Sequence, residues 1–345
     1  MVTISADKAD RICTQILQAV GVPSYDASIL TQNVLCAEMR GVTSHGLTRF
    51  TAYVDRIQHN LVSLNPKIKF SYDSPASIKV DGDNGLGQVV ACQVIDKAIE
   101  KAKASGSCVA LTYNTNYIGM LSYYTLRIAE QKMIGVMLCN TPPFVAPTGG
   151  MDAVIGTNPI CFAVPTGRDF QIVLDMAISP ARGKIRLALE QGKDIPPGWA
   201  IDSNGNPTTD AKAAMEGTIL PTGGPKGYGL GLIVDILSGV LTGASFGKSV
   251  PDSLYDLTTT PNLGNFIMVI DIEKFMPIDF FNDRLESVIS NIKASKKLDQ
   301  VSEIHIPGEI EHQNEMRCLR EGIAVDPKIW GKIEELGKKL NIDVN

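Results

Sequence analysis

The 345-residue chain reads as an α/β protein with a helical unit drawn from both of its ends. Three observations predict this. Through the middle of the chain, short apolar runs closed by polar or glycine residues alternate with helical stretches, the pattern of layered sheet and helix. Both ends instead repeat their apolar residues at helical spacing. No G-x-G-x-x-G occurs, so a standard Rossmann dinucleotide fold has no support.

Taken in order, Ser5 is positioned to cap a helix carrying Ile12, Ile16 and Val20 and stopping at Gly21. Ser24 is positioned to cap a second, with Leu30, Val34 and Leu35 on its apolar face, ending at Gly41. A third starts at Ser44 and carries Phe50, Val54 and Ile57. Strands are expected at IKVDG (78–82), CVALTYN (108–114), IGVMLCN (134–140) and FQIVLDMA (170–177), with helices over 88–104 and 122–132 between them. The Pro-, Gly-, Asp- and Thr-rich stretch 192–224 reads as a long ordered loop or lid. A buried helix (227–241) and a strand (265–270) follow. The tail returns to amphipathic helix with Leu285, Val288, Ile289 and Ile292, and closes on a helix over 330–340. The expected division is a helical unit of residues 1–72 plus 283–345 around an α/β unit of 73–282.

Composition excludes several classes of function. With 44% apolar and 20% charged residues the chain has the make-up of a folded globular protein rather than a disordered one. The 32 Lys and Arg against 37 Asp and Glu leave a net charge of −5 with no basic block, which argues against nucleic acid as a partner. The first residues lack a cationic and an apolar segment, and the most apolar stretch (230–246) is broken by Asp235 and several glycines. No membrane partner and a cytoplasmic location are therefore expected. The seven cysteines are odd in number, and with the four histidines they offer no metal-ligand spacing, so reduced thiols and no metal are expected.

Two motifs are false leads. GASFGKS (243–249) has one residue too few for a phosphate-binding P-loop and follows a helix rather than a strand. DGDNG (81–85) lacks the later ligands of a calcium loop and reads as a tight turn. GVTSHGLTRF (41–50) is more informative. If Ser44 caps the third helix, His45 and Arg49 share one face at its positive end, where anions are favoured and a histidine pKa falls. Arginine grips a carboxylate and histidine moves a proton, which together suit oxidation of a 2-hydroxy acid; a solvated helix start is the plain alternative. PTGGPKGYGLGL (221–232) places Lys226 at a helix start fit for a cofactor phosphate, or is simply a tight turn. Asp175 ends an apolar strand, facing a ligand crevice or capping the next helix. The Pro-, Thr- and Gly-rich stretch 140–162 forms a binding wall or merely reverses the chain.

In this order, TSHGLTRF, DGDNGLGQVV, NTPPFVAPTGG, GTNPICFAVP, LDMAISPARGK, IPPGWAIDSNGNPTTD, GGPKGYGLGLIVDILSGVLTG and PGE resemble the type-2 malate/L-lactate dehydrogenases. Sulfolactate, ureidoglycolate and 2,3-diketogulonate oxidoreductases are relatives of that family, and the texture is similar to the archaeal malate and sulfolactate members. The resemblance implies a non-Rossmann, three-layer mixed sheet, a homodimer, NAD as cofactor with NADP open, and a small 2-oxo or 2-hydroxy acid substrate, malate and oxaloacetate in the lead. It also implies that Ser44 and His45 belong to the proton-transfer apparatus and that Arg49 holds the substrate carboxylate. Gly119, Thr141, Asp175, Met176, Ala177 and Lys226 would contact the cofactor.

One departure stands out. Where the family carries N-H-F-G, this chain has Asn116-Tyr117-Ile118-Gly119. A tyrosine donates a hydrogen bond but is a poor base at neutral pH. Either His45 carries the proton with Tyr117 polarising the substrate oxygen, or the reaction is changed or lost and the chain only binds nucleotide. A phosphotransferase using the GGPKG loop has no acidic magnesium pair beside it.

Overall fold

The computed structural model describes residues 1–180 and 182–345. Its N-terminal part runs β1 (Val2–Ile4), α1 (Ala6–Ala19), α2 (Ser24–Met39) and α3 (Phe50–Gln58). Ser5 caps α1 as expected, its Oγ accepting the Lys8 N–H at 3.2 Å. Ser24 does not cap α2; it is the first residue of that helix, after Pro23, and its hydroxyl accepts from Gln18 Nε2 at 3.0 Å. Fixed φ lets Pro23 itself turn the chain into the helix.

The main sheet has seven strands in the order β2-β3-β4-β13-β5-β8-β9. They are β2 (Lys69–Asp73), β3 (Ser77–Gly85), β4 (Ser107–Thr115), β5 (Met133–Cys139), β8 (Ile160–Val164), β9 (Ile172–Met176) and β13 (Leu263–Asp271). The sheet is mixed: β3 and β4 are parallel, while the late strand β13 inserts antiparallel to both β4 and β5. Helices α4 (Gly87–Ser105) and α5 (Ser122–Ala129) cover one face, where Val90, Ile95 and Ile128 join Val80, Ala110, Met137 and Ile267 in the core. Because side chains alternate along a strand, Val136 and Leu138 point the other way, toward Val234 of helix α8 (Pro225–Asp235). The result is three layers.

The stretch expected as a loop is instead a small lobe. Short strands β6 (Pro143–Val145), β7 (Ile155–Gly156), β10 (Ala200–Ile201), β11 (Pro207–Thr208) and β12 (Thr218–Ile219) form a second sheet. With α6 (Arg182–Glu190) and α7 (Ala211–Glu216) they enclose Ile185, Ile195, Ala200, Ala211, Ala214 and Ile219. The segment's turn residues are real, but strands of two residues leave no periodicity to read.

The tail supplies α9 (Ile278–Lys293), α10 (Glu309–Glu321), β14 (Ile323–Val325) and α11 (Pro327–Lys339). Strand β14 pairs antiparallel with β1, and Trp330 and Ile333 of α11 share one core with Ile12 and Ile16 of α1. Both ends of the chain therefore build one helical region. The first strand of the main sheet begins at Lys69, and α9 begins at Ile278, its buried Ile289 packing with Phe170 and Ile306. All seven cysteines are free, five of them buried.

Candidate active site

The segment 41–50 does not start a helix at Ser44. It makes two 3-10 turns, Thr43–His45 and Leu47–Arg49, and α3 begins only at Phe50, with Arg49 at the cap position and no side-chain cap. Glu38, buried near the end of α2, explains this: its Oε2 accepts the Leu47 N–H at 2.8 Å, between the two turns. A Cβ on Gly46 would lie 2.1 Å from that oxygen and 3.1 Å from the Glu38 Cα, so only glycine permits the approach.

His45 and Arg49 still come together, by a different route. Arg49 Nε donates to the Ser44 carbonyl at 2.8 Å, and Ser44 Oγ lies 2.9 Å from His45 Nδ1. The histidine pKa is lowered to about 4, first by burial and second by the Arg49 charge, rather than by a helix end. Although the residue is half-buried as a whole, its ring is crowded by protein atoms.

Tyr117 faces this ring. The two rings are 6.3 Å apart between centroids and 20° from parallel, and Tyr53 from α3 lies 5.9 Å from Tyr117 on another side. Burial pushes both phenols above the ordinary tyrosine range, so both stay protonated. Tyr53 Oη accepts from Gln88 Nε2 at 2.9 Å. Beneath them Gly119 has φ +72°, and a Cβ there would meet Asn33 Oδ1 at 2.0 Å. That buried oxygen has no hydrogen-bond partner in the chain. Gly119 thus serves close packing of its loop against α2.

Asp175 reaches the same loop. Its carboxylate accepts the Ser122 N–H at 2.8 Å at the start of α5, so it caps a helix that precedes it in sequence. It keeps open surface, yet crowding around the carboxylate raises its pKa. Met176 is exposed and Ala177 half-buried beside it.

A second neighbourhood adjoins the first. The Thr141 and Thr157 hydroxyls lie 3.1 Å apart, Ile178 N–H donates to the Thr157 carbonyl, and Thr222 N–H donates to the Ile178 carbonyl. This chain of bonds ties the ends of β5 and β9 to the start of α8, where Lys226 is exposed. Cys139, at the end of β5, and Asp175 both lie close enough to Tyr117 to add to the upward push on its phenol. Asp175 and Cys139 thus link the His45, Arg49 and Tyr117 group to the strand ends, while Lys226 stands exposed at the start of α8.

The second neighbourhood fits an anionic nucleotide. No side chain caps α8, and after Pro225, which has no N–H, the Lys226 and Gly227 N–H groups stand at the positive helix end beside the Lys226 ammonium. The buried Asn140 Oδ1 also lacks a partner in the chain. Among the described residues one group has metal-ligand spacing, Glu303, His305 and Glu309, but Lys293 Nζ already lies 3.2 Å from Glu303 and 2.7 Å from Glu309.

Four contributors escaped the sequence reading. Glu38 and Arg56 left a weak trace, as charged residues inside otherwise apolar helices. Tyr53 reads as ordinary core. Tyr255, 206 residues from its partner Arg49, left none.

Comparison with known proteins places the whole chain. The family model described as malate/L-lactate dehydrogenase matches residues 4–334. The malate dehydrogenase of Pyrococcus horikoshii is 39% identical, over 99% of this chain and 96% of its own. The L-sulfolactate dehydrogenase of Methanocaldococcus jannaschii is 38% identical over 99% and 98%, and its solved structure superposes with a TM-score of 0.94, at 37% identity over 99% and 98%. The NAD(+)-dependent ureidoglycolate dehydrogenase of Escherichia coli O157:H7 is 32% identical over 95% and 93%. The match over nearly the whole chain, in sequence and in fold, shows that this chain belongs to the malate/L-lactate dehydrogenase family of oxidoreductases.

Proposed function

We propose that this chain is a nicotinamide-nucleotide-dependent 2-hydroxy acid dehydrogenase, with malate and oxaloacetate as its substrate pair. The observation that carries the reading is a neutral histidine beside an arginine, faced by a protonated tyrosine. Arg49 binds the carboxylate on C1. With Nδ1–H donated to Ser44 Oγ, His45 presents Nε2 as acceptor for the C2 hydroxyl proton. Tyr117 donates to the C2 oxygen and holds it toward His45. Bound at the start of α8 with Lys226, Thr141 and the Asp175–Ala177 strand end around it, the nicotinamide nucleotide supplies the acceptor for the hydride that leaves C2.

Malate leads on the 39% identity to the Pyrococcus horikoshii malate dehydrogenase, with sulfolactate supported almost equally at 38%. NAD is favoured by the ureidoglycolate relative, whose name specifies it. We further propose a homodimer, supported by an exposed apolar stripe of Leu230, Ile233, Ile236, Val240 and Leu241.

The test is loss of nicotinamide absorbance from NADH and NADPH with oxaloacetate, pyruvate, sulfopyruvate and 2-oxoglutarate. Turnover on oxaloacetate is expected, and His45→Ala should lower it by about 10²-fold or more. Silence on every acid with nucleotide still bound would instead favour a chain that has lost catalysis at Tyr117. Unchanged turnover in His45→Ala would remove His45 from the proton path.

A further inference from the structure

We propose that Tyr255 is a substrate-binding residue that completes the carboxylate clamp with Arg49; the inference rests on the 2-hydroxy acid reading above. A guanidinium has five N–H donors, and the structure commits two of those on Arg49. Nε serves the Ser44 carbonyl at 2.8 Å, and Nη1 donates to the Tyr255 hydroxyl. With Nε taken, the one edge left for a two-bond grip on a carboxylate lies between Nη1 and Nη2. Tyr255 Oη is bonded to Nη1, one corner of that edge. Because this oxygen accepts from Arg49, its own proton is not spent on the guanidinium and is free for an acceptor bound next to Nη1. A carboxylate oxygen is such an acceptor.

The placement of Tyr255 supports a role in binding rather than in packing. The residue is 59% exposed, yet the backbone that carries it is firmly held. Leu254 is buried in the main core, and Asp252 Oδ1 accepts the N–H groups of Leu254 and Tyr255 at 2.9 and 2.8 Å. Arg56, only 3% exposed, donates to the carbonyls of Asp256 and Thr259 and to Asn116 Oδ1, the neighbour of Tyr117. One buried arginine thus sets segment 252–259 in register with the loop of Tyr117, and Tyr255 adds to the upward push on the Tyr117 phenol. An exposed aromatic hydroxyl on a fixed backbone, bonded to the carboxylate-binding arginine, is pre-organised for a ligand.

The experiment compares steady-state kinetics of the full-length wild type and Tyr255→Phe with oxaloacetate or pyruvate, whichever the wild type turns over. A hydrogen bond to a charged group predicts a KM for the 2-oxo acid raised about tenfold or more, with kcat and the nucleotide KM within about twofold. Tyr255→Leu, which also removes the ring, should raise the same constant further at an unchanged nucleotide KM. Unchanged oxo-acid KM in Tyr255→Phe, or a loss shared by kcat and nucleotide KM with a lowered melting temperature, would show that Tyr255 only braces its segment. Those results leave the dehydrogenase reading standing. Wild-type silence on every 2-oxo acid would overturn that reading and the clamp with it.

Discussion

His45 is the residue whose environment most sharply shapes the chemistry. Burial and the Arg49 charge lower its pKa to about 4, so the imidazole is neutral near pH 7 and able to accept a proton. Oxidation of a 2-hydroxy acid should therefore show a kcat/KM that is flat from about pH 6 to 9 and falls only as the pH drops toward 4. The raised phenol of Tyr117 adds no descending limb, because it keeps its proton over the same range. An NMR titration of the His45 ring should give an inflection near 4, and Arg49→Gln should move it upward by removing a repelling positive charge. An inflection above 6 in the wild type would contradict the crowding of the ring. The sequence already marked His45, Arg49 and Tyr117 and anticipated a lowered histidine. It assigned the lowering to a helix end, since desolvation depends on neighbours that arrive from elsewhere in the chain.

Among the elements, the doubled 3-10 turn between α2 and α3 is the one on which the site depends. An uninterrupted helix from Ser44 would place His45 and Arg49 one above the other, whereas the turns fold Arg49 back onto the Ser44 carbonyl. Glu38 stabilises that arrangement by accepting the Leu47 N–H, and Gly46 leaves room for it. Gly46→Ala should cost about 1–3 kcal/mol of stability, because a Cβ meets the Glu38 backbone as well as its carboxylate. It should also lower kcat/KM by about 10²-fold through displacement of His45 and Arg49. Thermal melting and steady-state kinetics on one preparation would check both, and a stable, fully active variant would show that the turn tolerates another path. Helices α1 and α4 and the long strands were readable because a single periodicity runs their length. The lobe of two-residue strands was not, since each spans a single repeat of the two-residue strand period and shows no alternation.

At the scale of the whole molecule, α8 carries an uncovered apolar surface. Val234 and Gly231 face inward, while Leu230, Ile233 and Ile236 lie on the opposite side and continue through the π-helical turn to Val240 and Leu241. A helix apolar all round is normally covered all round, which is why the sequence suggested a buried one. In the single chain half of it faces outward. If a second copy covers that half, sedimentation velocity should return about twice the 345-residue mass, and Ile233→Glu should return the monomer with its helix content unchanged. A wild-type monomer would refute the homodimer. Among the described residues no helix is long and apolar enough to cross a membrane.

Local patterns along the chain were enough to predict the α/β class, the helical ends and most long elements, and to single out the motif residues proposed for the site. Each of those depends on neighbours a few positions apart, where periodicity, caps and turn residues act directly. Contacts across long stretches of chain decided the rest. Strand β13 enters the middle of the sheet between β4 and β5, and β1 pairs with β14 across almost the full length. Asp175 caps a helix that begins 53 residues earlier, and Tyr255 meets Arg49 over 206. Such partners are selected by the packing of the finished fold, because only there do burial and hydrogen bonding repay the entropy of closing loops that long.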